Sequence, residues 1–117
     1  MLQVASGTRV FLACKPVDMR LGAPGLCAAV SKVLHEDPFS GGLFLFRSKR
    51  GNYLKMVYYD GSGVCVFAKK MERSRFVWPQ TLDAKAPLSA GQLSLLVEGI
   101  DWRHTVRPEP VARPVLI

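Results

Sequence analysis

Between Asp37 and Pro79 the sequence alternates apolar runs with glycine-rich breaks, and that alternation restricts what the chain can fold into. The runs at 43–47 (LFLFR), 53–59 (YLKMVYY) and 64–69 (VCVFAK) are rich in the β-branched and aromatic residues that suit a pleated surface. The breaks are Lys49-Arg50-Gly51-Asn52 and Asp60-Gly61-Ser62-Gly63, and Gly and Asn tolerate the positive φ of tight hairpins. Within the runs the side chains alternate: Phe44 and Phe46 oppose Leu45 and Arg47, and Leu54, Met56 and Tyr58 oppose Lys55, Val57 and Tyr59. With a shorter run at 76–78, this predicts an antiparallel meander of three or four strands.

Charge is concentrated on the same segment. Arg47, Lys49, Arg50, Lys55, Lys69, Lys70, Arg73 and Arg75 face only Asp60 and Glu72 within it, a net +6 out of the chain's +7. One reading is a solvated face whose lysines protect a sheet edge. The other is a phosphate-binding surface that tracks a nucleic-acid backbone, and these eight residues are its candidate contacts. Arg73 and Arg75 are two apart, so in extended chain both project from one side. Tyr53, Tyr58 and Tyr59 are interleaved with the basic residues, as aromatics that stack on unpaired bases would be, although such a row also serves as core.

Before the meander, the run at 9–14 reads as a strand at the sheet edge, closed by Pro16. In the corner Val17-Asp18-Met19-Arg20, Asp18 caps a turn and Arg20 pairs with it. Leu26, Ala29, Val30, Val33 and Leu34 share one face of a helix over 24–36, with Pro24 in its first turn. Glu36 and Asp37 then sit at the negative end of the helix dipole and call for a cation from elsewhere. After the meander, 80–87 reads as a loop. A second helix over 89–98 starts with a Ser89–Gln92 capping box and ends at Gly99. These elements predict an α+β fold: a small antiparallel sheet of four or five strands, with both helices packed on one face.

A chain of 117 residues with 49% hydrophobic and 21% charged content is expected to form one domain, residues 1–103, followed by an extended tail, 104–117, carrying prolines and arginines. Neither an apolar run of membrane-spanning length nor a basic-then-apolar leader is evident, so a cytoplasmic location without membrane contact is expected. Cys14, Cys27 and Cys65 are widely spaced and form no pair typical of a zinc site; they read as free thiols. No metal or cofactor is called for. The acids form no convergent metal-binding motif, and no phosphate-binding loop or nucleophile elbow occurs, which argues against an enzyme.

The stretch from Asp37 to Pro79, with VDMR upstream and LSAGQLSLLVEGIDW downstream, resembles the TnpB accessory protein of insertion sequence 66 elements, which is unrelated to the RNA-guided nuclease of that name. The resemblance runs from about Val4 to Trp102 in several blocks. The family's Trp-Trp-Asp-Gly stands here as Tyr58-Tyr59-Asp60-Gly61, and its glycine–aromatic–acid–glycine run as Gly22-Ala23-Pro24-Gly25. The resemblance implies an accessory to a separate transposase, with the transposase of the same element as partner and the strand-transfer chemistry left to it.

Two functions are therefore expected as alternatives: a DNA-binding accessory factor using the basic meander, or an adaptor that docks on the transposase with little DNA binding of its own. The apolar end Pro114-Val115-Leu116-Ile117 offers a contact for a partner or a second copy. Deleting residues 104–117 is expected to leave the melting temperature nearly unchanged. A fall of several degrees would show Val115, Leu116 and Ile117 to be buried in the domain or in a dimer.

Overall fold

The computed structural model describes residues 4, 5 and 7–105; most of the C-terminal tail, and with it the contact expected of its apolar end, lies outside the described residues. In chain order the elements are β1 (Val10–Ala13), α1 (Ala23–Lys32), β2 (Leu43–Arg47), β3 (Tyr53–Tyr59), β4 (Val64–Lys70), β5 (Lys85–Leu88) and α2 (Ala90–Val97). They form an α+β fold with one five-stranded sheet in the order β4-β3-β2-β1-β5. The expected meander is β2-β3-β4. Phe44 lies opposite Val57 and Tyr53 opposite Lys70 in its two antiparallel ladders.

Three expectations are corrected. First, the sheet is mixed: β1 runs parallel to β2, because the chain between them crosses over through α1. β1 is also an inner strand, since β5 pairs with it on its other side and Pro16 lies beyond the paired residues.

Second, the helices cover opposite faces. Leu12, Leu45, Leu54, Met56 and Leu88 pack with Leu93 and Leu96 of α2, whereas Phe11, Phe44, Phe46 and Val57 pack with Leu26 and Val30 of α1. All four residues of β1, and Leu43 to Phe46 of β2, are buried. Strands apolar on both parities need a cover on each side.

Third, 76–78 is not a strand, and the expected loop contains β5. Phe76 donates its amide to Gly51 O (2.8 Å), and the Val77 carbonyl accepts from the Trp102 indole (2.8 Å). Trp78 in turn donates its indole to Ala13 O (2.8 Å). Its polar partners are thus a hairpin tip, one indole and the carbonyl at the end of β1 instead of a ladder. β5 carries Pro87, which an edge strand accommodates.

Local signals read from the sequence are realised. The Ser89 hydroxyl accepts from the Gln92 amide (3.1 Å), and the Gln92 side chain accepts from the Ser89 amide (3.0 Å). α2 closes on Gly99 at φ +79. α1 ends earlier than expected, at Lys32; His35 then takes a left-handed turn (φ +54), and the Glu36 amide returns to Val30 O (3.2 Å). The cation that this helix end called for comes from β5: Lys85 binds the Glu36 carboxylate and donates to Leu34 O (2.9 Å), with Arg9 3.6 Å away on the other side.

Several carboxyls are held below their ordinary range. The Arg20 side chain and amide hold Asp18 at about 2, the Ser62 and Gly63 amides do the same for Asp60, and Arg103 for Asp101. The hydrogen bond from Lys85 lowers Glu36. A lowered folded-state pKa contributes stability above the unfolded value and loses it as pH falls through the folded value. The melting temperature is therefore expected to stay level from neutrality down to about pH 5 and to fall between about pH 4 and pH 2. A melting temperature unchanged across that lower range, followed by circular dichroism, would contradict these contacts.

Candidate nucleic-acid interface

The β2–β3 hairpin sets the geometry of the basic residues. Its tip is closed by the Gly51 amide on Ser48 O (3.0 Å) and the Ser48 amide on Tyr53 O (2.9 Å), with Gly51 at φ +78, where a residue with a Cβ is strained. The chain leaving β4 is then lashed to this tip at two points. Met71 donates its amide to Asn52 O (2.7 Å), and Phe76 donates to Gly51 O (2.8 Å). Phe76 is buried in the core, and the Met71 methyl sits where any Cβ on Gly99 would have to go. Residues 72–75 are thereby held as an arch over the end of the sheet, fixed on both sides.

The eight candidate residues separate into two groups. Three are bonded inside the fold. Lys55 donates to Leu21 O (3.0 Å) at the entrance to α1, and Lys69 donates to Val97 O (2.8 Å), closing the carbonyl end of α2. Arg47 donates from Nη1 to Ser48 O (3.3 Å) under the hairpin tip, and its Nε is buried without a partner among the described residues. The other five, Lys49, Arg50, Lys70, Arg73 and Arg75, are exposed. They lie at one end of the sheet, because Lys70 pairs with Tyr53, the residue that follows the hairpin tip.

Arg50, Arg73 and Arg75 converge further. Together with Asn52, Met71, Glu72 and Ser74 they line a single depression of about 290 Å³ between the tip and the arch. No salt bridge engages any of the three arginines among the described residues, whereas Asp18, Glu36 and Asp101 are each paired with a cation elsewhere. A second depression, of about 360 Å³ beside Arg9 and Phe44, is lined by Glu36 and so is already neutralised. A third, of about 250 Å³, is an apolar groove between α2 and the β3–β4 pair, lined by Val4, Met56, Phe67, Leu93 and Val97 with Lys69 and Glu98 beside them.

The tyrosines do not join the basic end as a row. Tyr59 donates to Gly61 O (2.9 Å) and packs edge-on against Phe39 at the far end of β3, and Tyr58 packs beside the α2-side core. Burial raises the Tyr58 pKa. Only Tyr53 lies near the tip, with the Lys55 ammonium 5.8 Å from its ring centre. Sequence reasoning missed Asn52 and Ser74 as neutral hydrogen-bonding groups in the depression; their only signal is adjacency to Gly51 and to the two arginines. Among the described residues, no group of three or more His, Cys, Asp or Glu is placed to hold a metal ion. The three cysteines are free thiols, and burial raises the Cys14 and Cys27 pKa values.

Over residues 8–107 the sequence matches the family described as IS66 Orf2 like protein. The chain belongs to that family. Similar proteins are the uncharacterized proteins y4hO and y4jC of Sinorhizobium fredii (strain NBRC 101917 / NGR234). They are 42% and 39% identical over 117 residues, spanning 100% of this chain and 99% of each relative. No solved structure matches it. The resemblance seen in the sequence is thus confirmed: this IS66 Orf2-like protein is an accessory protein associated with transposition, and the family is not a known enzyme class. No helix among the described residues is long and apolar enough to cross a membrane.

The two groups of basic residues have different consequences on substitution. Lys55→Ala and Lys69→Ala each remove a charged donor from a carbonyl and are expected to cost about 1 kcal/mol of stability. Lys49→Ala and Lys70→Ala are expected to stay within about 0.5 kcal/mol of the wild type. Urea titrations compare the four, and equal losses in all of them would erase the distinction.

Proposed function

We propose that this IS66 Orf2-like protein is a non-catalytic accessory factor that holds DNA by its phosphates at the basic end of the sheet, while a separate transposase of the same element performs the chemistry. The observation that carries this reading is the cluster of five exposed cations on a hydrogen-bonded tip and arch, three of them around one depression with no carboxylate among the described residues bound to them. Phosphate contacts of this kind supply affinity and on-rate but no sequence information. Among the described residues no helix from this end is offered to a major groove, so any sequence preference comes from DNA shape or from the transposase.

A second reading, an adaptor that docks on the transposase, has the apolar groove between α2 and the β3–β4 pair in its favour, because an apolar patch on a protein surface suits a protein partner. The two readings use opposite features of the surface and separate cleanly. Replacing Lys49 and Arg50 together by Ala is expected to weaken DNA binding about equally for all sequences and to reduce the slope of log affinity against log salt by roughly 2. An unchanged slope would assign the tip to solubility. In a transposition assay with a marked element, charge reversal at Arg73 and Arg75 is expected to abolish transposition while folding and transposase binding persist. Loss of transposase binding alone would move the function to the adaptor.

A further inference from the structure

The depression between the hairpin tip and the arch differs from the rest of the basic surface. Lys49 and Lys70 do not line it; Arg50, Arg73 and Arg75 do. Along a straight duplex, each internal phosphate is a diester with one negative charge and two free oxygens, and its neighbours on either side keep it out of a hollow. Such a backbone is met by outward-pointing side chains like Lys49 and Lys70. A phosphate at a chain end has three free oxygens and carries about −1.5 to −2 near neutral pH. It enters a concave site and is surrounded by donors.

The lining is matched to the second kind of group. Its three arginines and one acid, Glu72, leave +2, which balances the two negative charges of a fully ionised phosphomonoester. Guanidinium forks bind such oxygens in pairs, and the neutral groups of Asn52 and Ser74 complete the hydrogen-bonding set. The site is also organised in advance. Both ends of the arch are fixed by backbone hydrogen bonds of 2.7 and 2.8 Å, and among the described residues no salt bridge must break before a ligand enters.

We infer that this depression binds the terminal phosphomonoester of a nucleic-acid strand, and that the protein therefore prefers phosphorylated DNA ends to duplex interior. The inference rests on the phosphate-binding reading above and narrows it to one site and one chemical group. The end phosphate is carried on the 5′ or the 3′ carbon of the terminal sugar, and the shared chemistry is the monoester.

Fluorescence anisotropy with the full chain tests this on one duplex sequence, labelled at an internal base and prepared with 5′-phosphate, 3′-phosphate or hydroxyl ends at fixed ionic strength. One or both phosphorylated duplexes are expected to bind roughly tenfold tighter than the hydroxyl-ended duplex. Arg73→Ala, and the triple change of Arg50, Arg73 and Arg75 to Ala, are expected to reduce that ratio towards one. The Lys49→Ala/Lys70→Ala pair should weaken all three duplexes about equally and preserve the ratio. All five positions are exposed, and circular dichroism checks that each variant is folded. Equal affinity for all three duplexes, with ordinary salt dependence, would overturn the end preference and leave the phosphate-binding function intact. Failure of all three duplexes to bind would overturn both. A ratio that survives the triple change would place the end site elsewhere and overturn the assignment.

Discussion

The structure depends on the burial of β1 and β2 from both sides. These two strands touch in parallel, and their side chains of either parity are apolar, so neither face can be left to water. One helix could cover only half of that surface. α1, carried in the crossover between the two strands, covers one face, and α2, reached only after β5, covers the other. No polar or charged residue is buried among the described residues, and β4, at the edge of the sheet, alternates in exposure along its length. The basic end of the sheet exists because the middle has no room for charge.

At that end the backbone does most of the positioning. Two main-chain bonds from Met71 and Phe76 to the hairpin tip hold the arch, and the indoles of Trp78 and Trp102 anchor the chain that follows it. Arginine side chains are long and lose rotamer freedom when they bind. Mounting two of them on an arch fixed at both sides, and the third on the hairpin tip that holds the arch, limits the disorder to the side chains themselves. Lys55, Lys69 and Arg47 contribute differently, tying α1's entrance, α2's exit and the hairpin tip to the sheet.

The meander was legible because its signals are local: alternating apolar residues and Gly-containing breaks specify hairpins within about ten residues. The Ser89–Gln92 cap and the Asp18–Arg20 corner were legible for the same reason. β5 was hidden, since Lys85-Ala86-Pro87-Leu88 has weak strand composition and acquires its role only from β1. The opposite placement of the helices was encoded in the unbroken apolar runs of β1 and β2, which do not by themselves say which helix lies where. For the basic site, the charge was visible but the division of labour was not. Alternation puts Lys69 and Lys70 on opposite faces, but nothing in the sequence says that Lys69 is bonded to a helix end while Lys70 stands in solvent. The grouping of Arg50 with Arg73 and Arg75 follows from the lash between tip and arch, two bonds between residues 19 and 25 positions apart.

The pairing of Val10 with Leu88 makes the sheet a closed circuit in sequence, with the first strand sealed by the last. Chain ends must meet before that ladder can form, and closing so long a loop is entropically slow compared with zipping two adjacent hairpins. During synthesis the meander can assemble as soon as it emerges, while β1 keeps one unpaired edge and one bare face until β5 and α2 arrive. The nascent protein thus passes through a stage in which its most apolar strand is its least protected. The burial of β1 is left to the last strand of the sheet and the second helix to be synthesised, β5 and α2.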